Sequence, residues 1–252
     1  MTADDLLRAL ELPEASRVDR RVAKKLLLEH GATTPRDRKL VQEGIEEIRW
    51  HAILKPGDAG AAAHRSEIRE YLELAVIRME LREGAKATRL TQLFHRAVPY
   101  PMLLITEQVG MVGLSAAHLR RSRAQEDAWV LDGDMVRVEL DGETDRPYLP
   151  SFASALALSE QPRTDLFALY QGWIDAMGAL LAARLSHRFA RFASRERNRQ
   201  RWVALREYEA VASEIAKLRR AAARERQMNR QVELNLRIRE LEAQRAAALE
   251  RL

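Results

Sequence analysis

From Thr164 almost to the C-terminus the apolar residues recur at helical intervals, and this run limits the folds open to the chain. Leu166, Leu169, Tyr170, Trp173, Ile174, Met177, Leu180, Leu181 and Leu185 follow the i, i+3, i+4, i+7 pattern of a core-docking helix. Further on, Leu205, Tyr208, Ala212, Ile215, Leu218 and Ala222 fit a heptad seam, and so do Leu234, Ile238, Leu241, Ala248 and Leu252. The two seams are out of phase. Leu218 to Leu234 is 16 residues, about 4.5 turns, so the second seam faces the opposite side. Either one helix changes its contact face, or the chain turns back near Asn229 into an antiparallel hairpin. No Gly or Pro marks a turn there, and both readings stay open.

The N-terminal segment also reads as helices. Asp4 to Leu10 is a short one, stopped near Pro13; Val18, Val22, Leu26 and Leu27 carry the next, with Gly31 as its C′ residue. Thr34 and Pro35 read as N-cap and N1 of a third, whose stripe runs through Leu40, Val41, Gly44, Ile45, Ile48 and Ala52 until Pro56. The middle changes character. Tyr71–Arg82 alternates with one switch of parity, as a bulged strand would. Thr88–Ala97 reads as a helix, Met102–Thr106 as a central strand, and Gly110–Ala117 as its hairpin partner. Ala128–Leu131 and Met135–Leu140 flank Asp132-Gly133-Asp134, a step that favours a hairpin turn. The expected fold is α+β: N-terminal helices, a small mainly antiparallel sheet domain, and long C-terminal helices ending in a coiled coil or helical hairpin. The segments expected are 1–56, helical; 65–150, the sheet domain; 151–202, helical; and 203–252, the coiled-coil tail.

Composition removes several chemistries. With no Cys there is no disulfide framework, no Cys-ligated metal and no thiol nucleophile. The 6 His are scattered without a His-x-x-x-His pair, so no metal site is expected. Neither a P-loop nor a Gly-x-Ser-x-Gly elbow occurs, and no cofactor is implied. Apolar runs fall short of the ~20 residues that span a bilayer. The start Met1-Thr-Ala-Asp-Asp-Leu lacks the basic and apolar regions of a signal peptide. A cytoplasmic protein without membrane contact is expected.

The net charge of +5 is modest, but its placement is not uniform. Arg184 to Arg230 holds 14 Lys/Arg against 5 Asp/Glu, which leaves the residues before it net negative. Arg184, Arg188, Arg191 and Arg195 recur every three to four residues, as one stripe along a helix suited to a nucleic-acid backbone. The bland alternative is that the Arg stems pack on the body while their heads stay wet. Arg17, Arg20, Arg21, Lys24 and Lys25 make a second basic cluster; on a helix 17, 20/21 and 24 share a face with 25 beside them, and that face either tracks phosphates or is simply solvated. The seam residues Leu205, Ile215, Leu218, Leu234, Ile238 and Leu241 are the expected partner interface. Glu80-Leu81-Arg82 resembles half of a metal nuclease's acidic–x–basic pattern. Such an enzyme needs a second carboxylate, from Glu73 or Glu107, and Arg is a poor substitute for the usual Lys.

Three segments together resemble one bacterial family, the domain-of-unknown-function family 4391. The first is Arg17-Val-Asp-Arg-Arg-Val-Ala-Lys-Lys-Leu with Thr34-Pro-Arg-Asp-Arg-Lys-Leu and Ile45-Glu-Glu-Ile-Arg-Trp50. The second is Leu93-Phe-His-Arg-Ala-Val-Pro-Tyr-Pro101-Met-Leu-Leu-Ile105, and the third is Arg226-Gln-Met-Asn-Arg-Gln-Val-Glu-Leu-Asn235. The resemblance spans about Val18 to Leu241 and has gaps at the Gly57–Arg65 linker and the Arg120–Ala128 loop. It brings no catalytic residues. It implies a role beside DNA methyltransferases and helicases in restriction-like or anti-phage clusters. The expected function is therefore a non-enzymatic accessory or scaffold subunit that contacts a helicase or methyltransferase partner, and DNA. The alternatives are a divergent metal-dependent nuclease using Glu80, and a homo-oligomeric structural protein joined through the coiled coil.

Overall fold

A computed structural model describes residues 1–124 and 128–252. The elements run α1 (Ala3–Ala9), β1 (Arg17–Arg21), α2 (Lys25–His30), α3 (Pro35–Gly44), β2 (Ile45–Leu54), α4 (Pro56–Ala59), β3 (His64–Arg65), β4 (Glu70–Tyr71), β5 (Leu74–Leu81), α5 (Ala87–Ala97), β6 (Met102–Gln108) and β7 (Met111–Ala116). Then follow β8 (Leu119–Arg121), β9 (Trp129–Leu131), β10 (Val136–Leu140), α6 (Leu149–Leu156), α7 (Leu166–Ser186), α8 (Arg195–Arg224) and α9 (Met228–Leu249). The chain is α+β and divides into two units, Met1–Met177 and Gly178–Leu252.

The first unit is built on a six-stranded sheet of order β1-β2-β5-β6-β7-β10. β5 and β6 are parallel and joined through α5; the other neighbours are antiparallel. Leu74, Ala75, Val76 and Ile77 on β5 are all buried, because β5 is central and covered on both faces. On one face Leu27, Val41, Leu90, Leu93 and Phe94 from α2, α3 and α5 pack on Ile48, Ile77, Met79 and Leu104. Thr2 caps α1 reciprocally with Asp5, whose carboxyl these bonds hold down at about 2. The Tyr170 hydroxyl, buried on α7, accepts the Ala117 N–H at 2.9 Å and donates to the Met102 carbonyl at 2.7 Å. Trp173 Nε1 donates to Leu156 O at 2.9 Å.

Several expectations are corrected here. The third N-terminal helix stops at Gly44, and the residues behind it are strand β2. β2 carries two extra residues against β5, between Ile45 and Glu47 and between Trp50 and Ala52. Each bulge shifts the pleat by one, so the buried positions 45, 48, 52 and 54 imitate helical spacing. The bulge expected within Tyr71–Arg82 therefore belongs to β2, while β5 keeps an unbroken register with β6. Ala128–Leu131 and Met135–Leu140 do not pair with each other: β9 pairs with β8 and β10 with β7. Gly31 has a right-handed φ of −111°. It is needed for space, since a Cβ there would lie 2.9 Å from Ala97 Cβ. Of the Arg120–Ala128 loop, residues 125–127 lie outside the described ones.

α7 is long and apolar enough to cross a membrane by length and composition, contrary to the reading of short apolar runs. Buried side chains make up 78% of that window, the pattern of a core helix. In the second unit α8 and α9 form an antiparallel hairpin, so the chain turns back as one of the two readings had it. Ile215, Leu218, Ile238, Leu241 and Val211 pack together between the helices. Arg219 bridges to Glu242 at 2.6 Å, and Arg251 pairs with Glu207 at the open end. No Gly is required at the turn, because the Glu225 carboxylate accepts the N–H groups of Arg226 and Gln227 at 2.7 and 2.8 Å.

Candidate nucleic-acid interface

The second unit begins inside α7 at Gly178. A Cβ there would meet the Trp202 ring at 2.6 Å, so glycine is what lets this α8 side chain lie against α7. α7 ends after Ser186, whose hydroxyl donates to Ala182 O at 2.9 Å, and His187 takes the left-handed φ of +57° that terminates helices. α8 restarts under a Ser194 cap. Between them, residues 187–194 fold back on the first turns of α8. Asn198 Nδ2 donates to Phe192 O at 2.9 Å, and the Arg201 guanidinium donates to Ala190 O. Both side chains are buried. Arg197 and Arg201 lie over the Phe192 ring at 4.2 and 4.0 Å.

This fold-back shapes an open groove of about 980 Å³ beside the end of α9. Arg188, Arg191, Arg197, Arg199 and Arg251 line it, with Phe192, Val203, Leu249 and Leu252 as its apolar part and Glu250 as the acid among them. Arg199 holds Glu196 in a fork at 2.7 and 2.9 Å, which keeps that carboxyl below the usual range. Arg188 and Arg197 make no ion pair among the described residues. A planar guanidinium matches phosphate oxygens two at a time, so such a groove suits a polyanion.

A family model described as "Domain of unknown function (DUF4391)" matches residues 10–244. The chain belongs to this family. No curated protein and no solved structure matches it. The family match takes in the fold-back, α8 and most of α9, and Arg251 lies beyond it.

The sequence-predicted residues are distributed unevenly. The single helical stripe of Arg184, Arg188, Arg191 and Arg195 does not exist, because His187 breaks the helix. Arg188 and Arg191 reach the groove; Arg184 stays in the last turn of α7, and Arg195 begins α8 outside the lining. Arg197 and Arg199 arrive there one turn into α8, and Arg251 arrives from 63 residues beyond Arg188 only because the hairpin closes. Local periodicity held no signal for Arg251.

The second basic cluster is not on one helix face either. Arg17, Arg20 and Arg21 lie on β1, which among the described residues is an edge strand paired with β2, and Lys24 and Lys25 follow at the start of α2. Arg17 meets Glu14 at 3.2 Å and Lys25 meets Glu29 at 3.5 Å. Lys24 Nζ donates to Ile45 O, and partial burial lowers its pKa. Charges on an edge strand guard it against pairing with other chains. Glu73 and Glu80 sit at opposite ends of β5, roughly 23 Å apart at ~3.3 Å per residue, so they do not share a metal. Glu107 is the register partner of Glu80, but Arg78 binds both, at 3.1 Å to Glu80. Among the described residues no group of three or more His, Asp or Glu is arranged to hold a metal. Of the expected partner seam, Ile215, Leu218, Ile238 and Leu241 face one another inside the hairpin; Leu205 is buried and Leu234 half-buried. They are the hairpin's own core rather than an outward surface.

Proposed function

We propose that this protein is a non-enzymatic accessory subunit that holds nucleic acid by its phosphates within a restriction-like or anti-phage assembly, beside a helicase or methyltransferase. The arginine groove carries this reading. Five guanidinium groups from three chain segments converge on it, two of them without an ion pair among the described residues. Phe192 already bears two of the unit's guanidinium groups, so the groove offers charge rather than a stacking platform. Contact of that kind positions a backbone and reads no sequence. The place of the subunit beside a helicase or methyltransferase rests on the family resemblance alone.

The test is binding of a short labelled duplex across a salt series. Replacing Arg188, Arg191 and Arg197 by Glu should abolish retention at physiological salt, and the log–log salt slope should fall by about 0.9 per phosphate contact removed. The same reversal at Arg17, Arg20 and Arg21 should leave the slope unchanged. Equal slopes for wild type and the groove variant would overturn the assignment.

A further inference from the structure

We propose that the arginine groove takes a single strand of nucleic acid, with phosphates on its guanidinium groups and unstacked bases on its aliphatic wall. The proposal rests on the phosphate-holding reading above and adds the class of ligand. Beside the five arginines, Val203 on α8, Leu249 at the end of α9 and Leu252 line the groove. Val203 is 41% exposed, and the two leucines are half-buried. Phe192 is occupied by Arg197 and Arg201, so the apolar surface open to a ligand is aliphatic.

Charge and apolar surface in one groove call for a ligand that carries both. A duplex stacks its bases inside and turns phosphates and sugars outward, and its base edges are reached only through its grooves. Bound by its backbone, it would give Val203, Leu249 and Leu252 nothing to cover. A single strand presents phosphates along one side and base faces along the other. Gln200, exposed in the same lining, adds an amide that can pair with the base edges a single strand leaves open. The size agrees. About 980 Å³ is room for a few nucleotides, at the upper end of sites that enclose small ligands, and it does not enclose a duplex. Phosphate and base are common to DNA and RNA, so these contacts serve either strand.

Fluorescence anisotropy tests this with a labelled oligo-dT, an oligo-U of the same length and a blunt duplex of that length. Both single strands should bind about ten-fold tighter than the duplex, the yield of one or two base contacts. Val203→Ser should weaken single-strand binding about five-fold and leave duplex binding alone. The salt slope should not change, because no phosphate contact is lost. Leu252→Ser, beyond the last helix, should act in the same direction without touching helix stability. Leu236→Ser, exposed but outside the groove, should change neither form. A duplex bound as tightly as the single strands overturns the proposal. So do Val203→Ser and Leu252→Ser that weaken both forms alike, or neither. The reading beneath it fails differently: strand and duplex would then both bind regardless of Arg188→Glu. Loss of the single-strand preference with dependence on Arg188 retained strikes the single-strand proposal alone.

Discussion

Arginines keep different company in the two units. In the sheet unit several are clasped by carboxylates, mostly from other elements: Arg78 bridges Asp4, Glu80 and Glu107, Arg89 forks onto Asp37 at 2.9 and 2.7 Å, and Arg69 holds Asp132. One cluster of polar groups there is closed on itself as well. Gln171 Nε2 donates to Asp175 at 2.9 Å, which turns its oxygen toward His118 Nε2 at 2.8 Å. That nitrogen must then carry the proton, and Nδ1 accepts from the Tyr71 hydroxyl at 2.5 Å. Burial pushes the Tyr71 pKa up and the His118 pKa down, so both stay neutral. In the helical unit Arg188, Arg195 and Arg197 are exposed and make no ion pair among the described residues. A guanidinium already held by a carboxylate, as Arg199 and Arg251 are in the groove itself, has less charge to offer a ligand than Arg188 or Arg197. Arginine count alone does not distinguish a binding surface from an internal clasp.

The contrast can be broken from either side. The largest expected effect lies in the helical unit, whose core is small. Leu241→Ala should cost about 2–5 kcal/mol and open the hairpin. Leu236→Ala on the same helix but the outer face should stay within about 0.5 kcal/mol. Thermal melts followed by helicity decide it; equal losses would mean that the inner seam is not the hairpin's core.

A pH effect comes next and belongs to the sheet unit. His95, buried with Nε2 3.0 Å from Ser115 Oγ, has its pKa pushed down to about 3 by burial. The unfolded chain takes up that proton near 6.5 and the folded chain only near 3. Its contribution is therefore complete above about pH 6.5 and is lost as pH falls toward 3, by up to ~1.4 kcal/mol per pH unit. His95→Gln should remove one proton's worth of slope in urea unfolding between pH 7 and pH 5. Identical slopes would place a proton acceptor elsewhere.

The smallest effect tests the clasp. Arg78→Gln should cost about 1 kcal/mol or less, since its carboxylate partners are partly exposed. The loss should grow at low salt, where the three freed carboxylates repel, and shrink as salt screens them. A salt-independent loss would point to packing of the Arg stem instead.

Long elements with one rhythm were legible in the sequence. α7, the Thr34–Pro35 start of α3, α5 and the β6–β7 hairpin all lie where periodicity and capping residues put them. β2 was not, because two bulges gave a strand the spacing of a helix. For the site, the concentration of arginine after Arg184 was legible, but its arrangement was not. His187 converts a continuous stripe into a fold-back, and the partner seam turns inward once α8 and α9 meet.

The sequence by itself determined the α+β class, the family, the charge polarity and the amphipathic faces, because these depend on residue type at short spacing. Only the tertiary structure decided which faces meet. Closing the hairpin buries Leu241, leaves Leu236 outside, and carries Arg251 to the groove beside Arg188. The reason is physical: local spacing sets which side of a helix is apolar, whereas what covers that side depends on contacts between residues far apart in the chain.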